Sequence, residues 1–274
     1  MNLRALAASL FLLVSLPSIA SANERHFTYT YESAVLPVGG KEIEIWTTPR
    51  IGKENYFVRF DQRLEFEVGV SDNLMTAFYL NAETVTADVA GAAGLERVTE
   101  SELAGVSNEW KLKLSDPVAD SVGMALYGEI SVATAEAELE AKLIIDKKVG
   151  DLMFAGNLVL ANETEFEREG DESEVEQEQE VEIDLALGYF IAPGVSAGLE
   201  LRNHNEMYEG EWLHSALFAG PTIAYASEAW WIAASVMPQL PALKDNDDSA
   251  DDGARVLDAH EKLEARVLFS MHVD

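Results

Sequence analysis

Charged side chains recur at every second position through several stretches of this 274-residue chain. Arg59, Asp61, Arg63, Glu65 and Glu67 form one such row, and Glu138, Glu140 and Lys142 form another. Lys111 with Lys113, Glu129, Glu182 with Asp184, and Glu200 with Arg202 continue it. Gathered around a common space, such rows have two uses. They line an aqueous passage and select ions by charge, or they interlock as ion pairs that fill a narrow interior. Both readings stay open on the residues alone. An acidic excess in an open passage favours cations.

Two further chemistries are open to these residue types. His204 and His214 flank the polar stretch Asn203–Gly210, with Asn205 and Ser215 close by, so a Ser–His hydrolytic pairing is one reading. No nucleophile motif surrounds Ser215, and the five His residues are scattered, so polar groups at a rim explain them more simply. The acidic stretches Glu163–Gln179 and Pro241–Asp258 have a carboxylate density that suits Ca²⁺ or Mg²⁺. Asp245, Asp247, Asp248, Asp251 and Asp252 lack the glycine placement of an EF-hand, and a solvated acidic loop is the simpler reading. Neither a cofactor nor a metal centre is expected.

The elements that must position these rows are β-strands. Side chains alternate sides along a strand. Between the charges from Arg59 to Glu67 stand Phe60, Gln62, Leu64 and Phe66, followed by Val68 and Val70. Glu136–Asp146 sets Ala137, Leu139, Ala141, Leu143 and Ile145 against Glu136, Glu138, Glu140, Lys142 and Asp146, with Ile144 breaking the charged row. Asn108–Leu114, Val181–Tyr189, Val195–Arg202 and the terminal Arg266–Val273 repeat the pattern. One face is apolar and the other charged. A soluble sandwich would bury the apolar face against a second sheet. A membrane barrel turns it to lipid and the charges to a wet lumen.

Composition and punctuation favour the barrel. Residues 1–22 read as a secretory signal: Arg4, the apolar run Ala5–Leu16, Pro17, and Ala20-Ser21-Ala22 before Asn23. The chain has no Cys, which excludes disulfides and thiol metal sites. Without Arg4, 18 basic side chains face 49 acidic ones, which excludes nucleic acid as a partner. No later run is long and apolar enough for a membrane helix, so a membrane would have to be crossed by strands. Short turns (Ser71–Asn73, Ser115–Ser121, Lys147–Gly150, Ala192–Gly194, Ala226–Ser227) alternate with mostly longer connections (Pro49–Lys53, Asn81–Ser107, Glu163–Gln179, Asn203–Gly210, Pro241–Asp258). Outer-membrane barrels show this rhythm, and counting from Lys41 predicts about twelve strands. Residues 23–40 are expected as an extended lead-in at the periplasmic rim. Trp46, Trp110, Trp212, Trp230 and Trp231 are expected as interfacial girdles.

Leu36-Pro37, Gly39, Glu42, Glu44 and Trp46, then Arg63, Glu65, Glu67, Gly69, Ser71, Asp72, Leu74, Tyr79 and Leu80, carry a resemblance. This stretch resembles uncharacterised, transporter-like outer-membrane β-barrels of proteobacteria. The resemblance implies a barrel in the outer membrane and brings no reaction with it. The expectation is therefore an all-β, up-and-down antiparallel transmembrane barrel over residues 41–274, in the outer membrane of a Gram-negative bacterium. Its partners would be outer-membrane lipid, the barrel-insertion machinery and small, preferentially cationic solutes. The alternative is a structural or adhesive barrel with a side-chain-filled lumen, and a lipid-hydrolysing barrel is a distant third.

Overall fold

The computed structural model describes residues 23–91, 94–169, 172–244 and 255–273. The predicted signal segment, the cluster Asp245–Asp252 and Asp274 lie outside them. Period-two alternation becomes twelve strands: β1 (Lys41–Ile51), β2 (Phe57–Ser71), β3 (Leu74–Gly91), β4 (Gly94–Ser115), β5 (Gly123–Val132), β6 (Glu136–Val149), β7 (Leu152–Glu169), β8 (Glu172–Ala192), β9 (Val195–Tyr208), β10 (Glu211–Ala226), β11 (Trp230–Lys244) and β12 (Leu263–His272). Each pairs antiparallel with its neighbours in sequence, and β1 pairs with β12 from Glu42↔His272 to Ile51↔Leu263. The ring is therefore closed and leaves no open edge. Below, the end where β1 begins and β12 stops is the near end, and the opposite one is the far end.

The polarity is inside-out. Leu64, Leu126, Leu139, Leu158, Leu185 and Val267 point outward and are exposed. Glu42, Glu44, Glu65, Glu109 and Glu264 point inward and are buried. An apolar band around the whole exterior cannot be left in water, and hydrocarbon accounts for it. The core fills the lumen instead, with Tyr31, Trp46, Tyr127, Ile144, Trp231 and Leu268 in one cluster. Ile144, the break in the charged row of β6, is one of its fully buried members.

Three expectations need correction. The stretches Asn81–Ser107, Glu163–Gln179 and Asn203–Gly210 are not loops but mostly paired strand: β3–β4 pairs up to Gly91↔Gly94, β7–β8 to Glu169↔Glu172, and β9–β10 to Tyr208↔Glu211. About 9–11 tilted residues cross a bilayer, whereas β4 has 22 residues and β8 has 21. These hairpins therefore run beyond the apolar band at the far end, where no lipid calls for an apolar face and the alternation fades.

The lead-in does not rest at a rim. Residues 23–36 enter the lumen from the near end, turn within it and leave, and Phe27, Tyr29, Tyr31, Val35 and Leu36 are all buried. Gly69 permits the exit, because a Cβ there would lie 2.0 Å from the Pro37 carbonyl oxygen. Gly188 faces the Phe27 ring, 3.0 Å from where its Cβ would be.

The girdle reading holds for Trp110, Trp212 and Trp230, which are exposed outside, but Trp46 and Trp231 are buried in the lumen. Trp46 shares the inner row of Glu42 and Glu44, so its parity overrides its residue type. Trp231 donates its indole N–H to Glu42 at 3.1 Å.

Leu185 lies mid-band on β8, whereas Val175 lies on its far extension; both are exposed. Leu185→Arg is expected to destabilise the refolded barrel by about 2–4 kcal/mol, the cost of a cation at the bilayer midplane. Val175→Arg is expected to stay within about 0.5 kcal/mol of the parent, as an exposed surface change does. Denaturant titrations in lipid vesicles measure both.

Candidate functional site

The lumen has three zones. The near half is occupied by the lead-in. Glu200 on β9 accepts hydrogen bonds from the amides of Thr28 (2.8 Å), Tyr29 (2.8 Å) and Thr30 (3.0 Å). Asn157 on β7 takes both backbone groups of Tyr31, accepting from its N–H (2.6 Å) and donating to its carbonyl (3.0 Å). Tyr29 donates its hydroxyl to Glu264 at 2.8 Å. Arg25 stacks over the Tyr31 ring at 4.0 Å, and Arg266 over the Tyr29 ring at 3.8 Å. A segment that cannot join the wall thus has its backbone satisfied by wall side chains, as a buried backbone requires. His26, at the near rim, pairs with Glu32 at 2.7 Å. Burial opposes its charge, but Glu32 outweighs that and raises its pKa above the ordinary imidazole value; Glu24 adds to this and Lys148 subtracts. Beside the lead-in, Glu44, Glu65 and Glu67 bring carboxylate oxygens within 4.8 Å of one another, and Arg25 and Lys111 line the same small space.

The middle zone is a continuous chain of charges across the barrel. Arg59 bonds Asp61 and lies 3.0 Å from Glu83. Asp61 bonds Arg50 (2.6 Å), and Arg50 reaches Glu264 (2.5 Å). Glu264 meets Arg202 (3.2 Å), Arg202 meets Glu182 (2.6 Å), and Glu182 meets His204 (3.1 Å). Arg63–Glu129 (3.4 Å) and Lys142–Glu140 (2.9 Å) stand beside it.

Beyond lies a far vestibule of about 510 Å³. Its lining carries eleven carboxylates, among them Glu83, Glu136, Glu138, Glu163, Glu180 and Glu206, against seven Arg and Lys residues, so its charge is negative. A second cavity, of about 740 Å³, opens on the near side of the lead-in against His26, Glu32, Asp146 and Phe190.

Most of the predicted row residues share this lumen in distinct roles. Arg59, Asp61, Arg63, Glu129, Glu140, Lys142, Glu182 and Arg202 are paired within the network. Glu138 lines the vestibule and Asp184 is buried on the inner face. Glu65, Glu67 and Lys111 lie beside the lead-in, Glu200 anchors it, and Lys113 lies 3.8 Å from Asp116 at the near rim. Arg50 and Glu264 were missed. Both were reachable by parity, since Arg50 continues the inner row of Trp46 and Thr48 past Pro49, and Glu264 continues that of Arg266.

Three of the histidines are not rim groups, whereas His26 and His272 lie at the near end. His204 on β9, His214 on β10 and His260 ahead of β12 are buried and converge in the vestibule wall. His214 Nε2 meets His260 Nε2 at 2.8 Å. Burial, then the neighbouring imidazoles, Arg202 and Arg50, hold His260 well below the ordinary imidazole pKa. Among the described residues the Ser215 hydroxyl accepts from the Asn203 side-chain amide at 2.9 Å rather than pairing with a histidine.

A closed up-and-down ring with an apolar exterior, a charged lumen and an inserted segment has the architecture of the outer-membrane β-barrels. Among solved structures it is similar to the COG4313 outer membrane channel from Pseudomonas putida F1, at 11% identity and TM-score 0.59, covering 91% of this chain and 100% of that one. It is similar to the NanC porin at 10% identity and TM-score 0.51, covering 84% and 100%. The beta domain of the Bordetella autotransporter BrkA matches at 10% identity and TM-score 0.53, covering 86% and 100%. The chain belongs to a family of unknown function, DUF6662, whose family model matches residues 19–273. No functionally curated protein matches it.

Two outcomes follow for the inserted segment. Glu200→Ala strands three buried amides, each hydrogen bond to a charged group contributing about 1.5–3 kcal/mol. Amide exchange at Thr28, Tyr29 and Thr30 is expected to quicken about tenfold or more, the equivalent of at least ~1.4 kcal/mol. His26 has a raised pKa when docked, so its contribution is complete below the unfolded imidazole pKa of about 6.5 and is lost as pH rises through the docked value. Protection of the same amides, corrected for base catalysis, is expected to fall with rising pH, and His26→Gln is expected to flatten that dependence.

Proposed function

We propose that the protein is a gated channel for small cations in the outer membrane of a Gram-negative bacterium, exported with cleavage after Ala22. Lipid contacts the apolar band, and the barrel-insertion machinery places the chain. The observation that carries the reading is the far vestibule, which is wide, acidic and ends on the inserted segment. Carboxylates in excess concentrate cations at a mouth and repel anions. The lead-in is the gate, because it fills the lumen yet belongs to no strand of the ring. Its seat on Glu200 and Asn157 is a set of hydrogen bonds that can break together without opening the ring. The fold likeness to a channel and a porin supports a lumen that passes solutes, and we read the protein as non-enzymatic.

A second reading, a structural barrel with a sealed lumen, is favoured by the ion-pair chain from Arg59 to His204. Planar-bilayer recordings of the refolded full chain separate the two. The gated reading expects rare openings in the parent and a raised open probability in Glu200→Ala. Under a KCl gradient the reversal potential is expected to report cation preference, and Glu138→Gln with Glu163→Gln is expected to reduce it. Silence in both the parent and Glu200→Ala would establish the sealed barrel.

A further inference from the structure

We propose that His204, His214 and His260 form a binding site for one divalent transition-metal ion of the imidazole-preferring kind, with Zn²⁺ as its probe. The site stands whether or not the barrel conducts. The three imidazoles come from three separate elements, β9, β10 and the connector before β12, and each is buried. A ligating nitrogen of each lies within 4.8 Å of the other two. Tetrahedral coordination with Zn–N bonds of about 2.0–2.1 Å sets such nitrogens roughly 3.3 Å apart. The His214–His260 pair, at 2.8 Å, would open by about half an ångström, and the longest pair would close by at most about 1.5 Å, within reach of side-chain rotation.

The surroundings fit a metal ligand set. His204 Nδ1 faces Glu182 at 3.1 Å, the carboxylate–histidine arrangement that fixes the tautomer and leaves Nε2, 3.5 Å from Glu180, as the ligating nitrogen. Glu206 Oε2 lies 3.4 Å from His214 Nε2 and supplies a fourth donor. Only one proton can lie between the facing nitrogens of His214 and His260, so one of the two already presents a lone pair. Arg202, 3.5 Å from His204 Nδ1, is held by Glu182 and Glu264, which offset its charge. Three imidazoles suit Zn²⁺, Cu²⁺ or Ni²⁺, whereas Mg²⁺ and Ca²⁺ require oxygen donors. The acidic vestibule raises the local concentration of any divalent cation, and the histidines choose among them.

The test is equilibrium dialysis of the refolded full chain, freed of metal by chelation, against Zn²⁺ with Mg²⁺ in excess. One Zn²⁺ per chain that Mg²⁺ does not displace is expected. His214→Ala and His260→Ala are each expected to weaken binding about 100-fold or more, at least the upper end of the loss caused by removing a ligand's outer partner. His26→Ala, at the near rim, is expected to leave Zn²⁺ binding unchanged. Because a variant can misfold, the unmutated protein gives a second readout. Zn²⁺ should slow diethyl pyrocarbonate modification of His204, His214 and His260 and leave His26 unaffected, as mapped by mass spectrometry. Zn²⁺ that Mg²⁺ displaces, or that leaves the three histidines unprotected, would overturn the site and leave the three rings a hydrogen-bonded cluster.

Discussion

Glu264 is the point at which wall, lumen and inserted segment are tied together. It sits on β12, fully buried, directly opposite Arg50 of β1 across the seam that closes the ring. Arg50 binds one of its oxygens, Arg202 reaches across from β9, and Tyr29 of the lead-in donates to the other oxygen. A carboxylate withdrawn from water is tolerated only when its charge and lone pairs are all met. Here one partner is across the seam, one is across the lumen and one is on the segment within. Removing a single member of a buried pair leaves an uncompensated charge, at a cost of about 3–5 kcal/mol. Closure of the barrel and docking of the lead-in thus draw on one shared buried carboxylate.

The same constraint explains how much of the molecule can be read from residue order. Lipid outside and charge inside impose period two on every strand within the bilayer, so twelve strands and most of their inner rows are legible from Lys41 onward. The signal fades where the lipid ends. Glu172–Gln179 of β8 is paired strand, yet nothing requires its outer face to be apolar, and it reads as an acidic loop. Residues 28–33 alternate in the same way whether they pair in a wall or lie inside one, because both positions are half polar. What distinguishes them is Glu200 and Asn157, some 130 to 170 residues away, whose side chains replace a neighbouring strand.

The histidine cluster was only partly legible. His204 continues the inner row of Glu200 and Arg202 on β9, but the two-residue turn Glu209-Gly210 would by itself set His214 on the opposite face; a bulge between Trp212 and His214 shifts the register, pairs His214 with Glu206 and Ala216 with His204, and turns both histidines inward. Glu209 and Gly210 both adopt positive φ, the geometry of a tight hairpin turn. His260 carried no such mark. It lies on an irregular connector, and only the return of β12 to β1 and β11 brings that connector over the vestibule. Ring closure, which is non-local by nature, completes what the hairpin begins.

Charge is not spread evenly along the axis, and that distribution bears on what the lumen can do. The acidic excess lies in the vestibule and the far hairpins. At the level of the inserted segment's tip the cations gather: Arg50, Arg63, Lys142, Arg202 and Arg266 all border the vestibule floor. On the proposed channel reading, a cation drawn inward by Glu138, Glu163 and Glu180 would meet this layer of positive charges beside Tyr29 and Tyr31. With the lead-in docked, Tyr29 and Tyr31 sit against that layer through Arg266 and Lys142. With the lead-in withdrawn, Arg266 loses its ring contact and Glu200 loses the three amides that satisfy it, which adds a free carboxylate at the same level. In the proposed gating, undocking would thus widen the path and unmask a carboxylate beside it at the same time. On the proposed gating reading, the steric barrier and the electrostatic one coincide in a single segment because the groups that satisfy its backbone include charges of the wall.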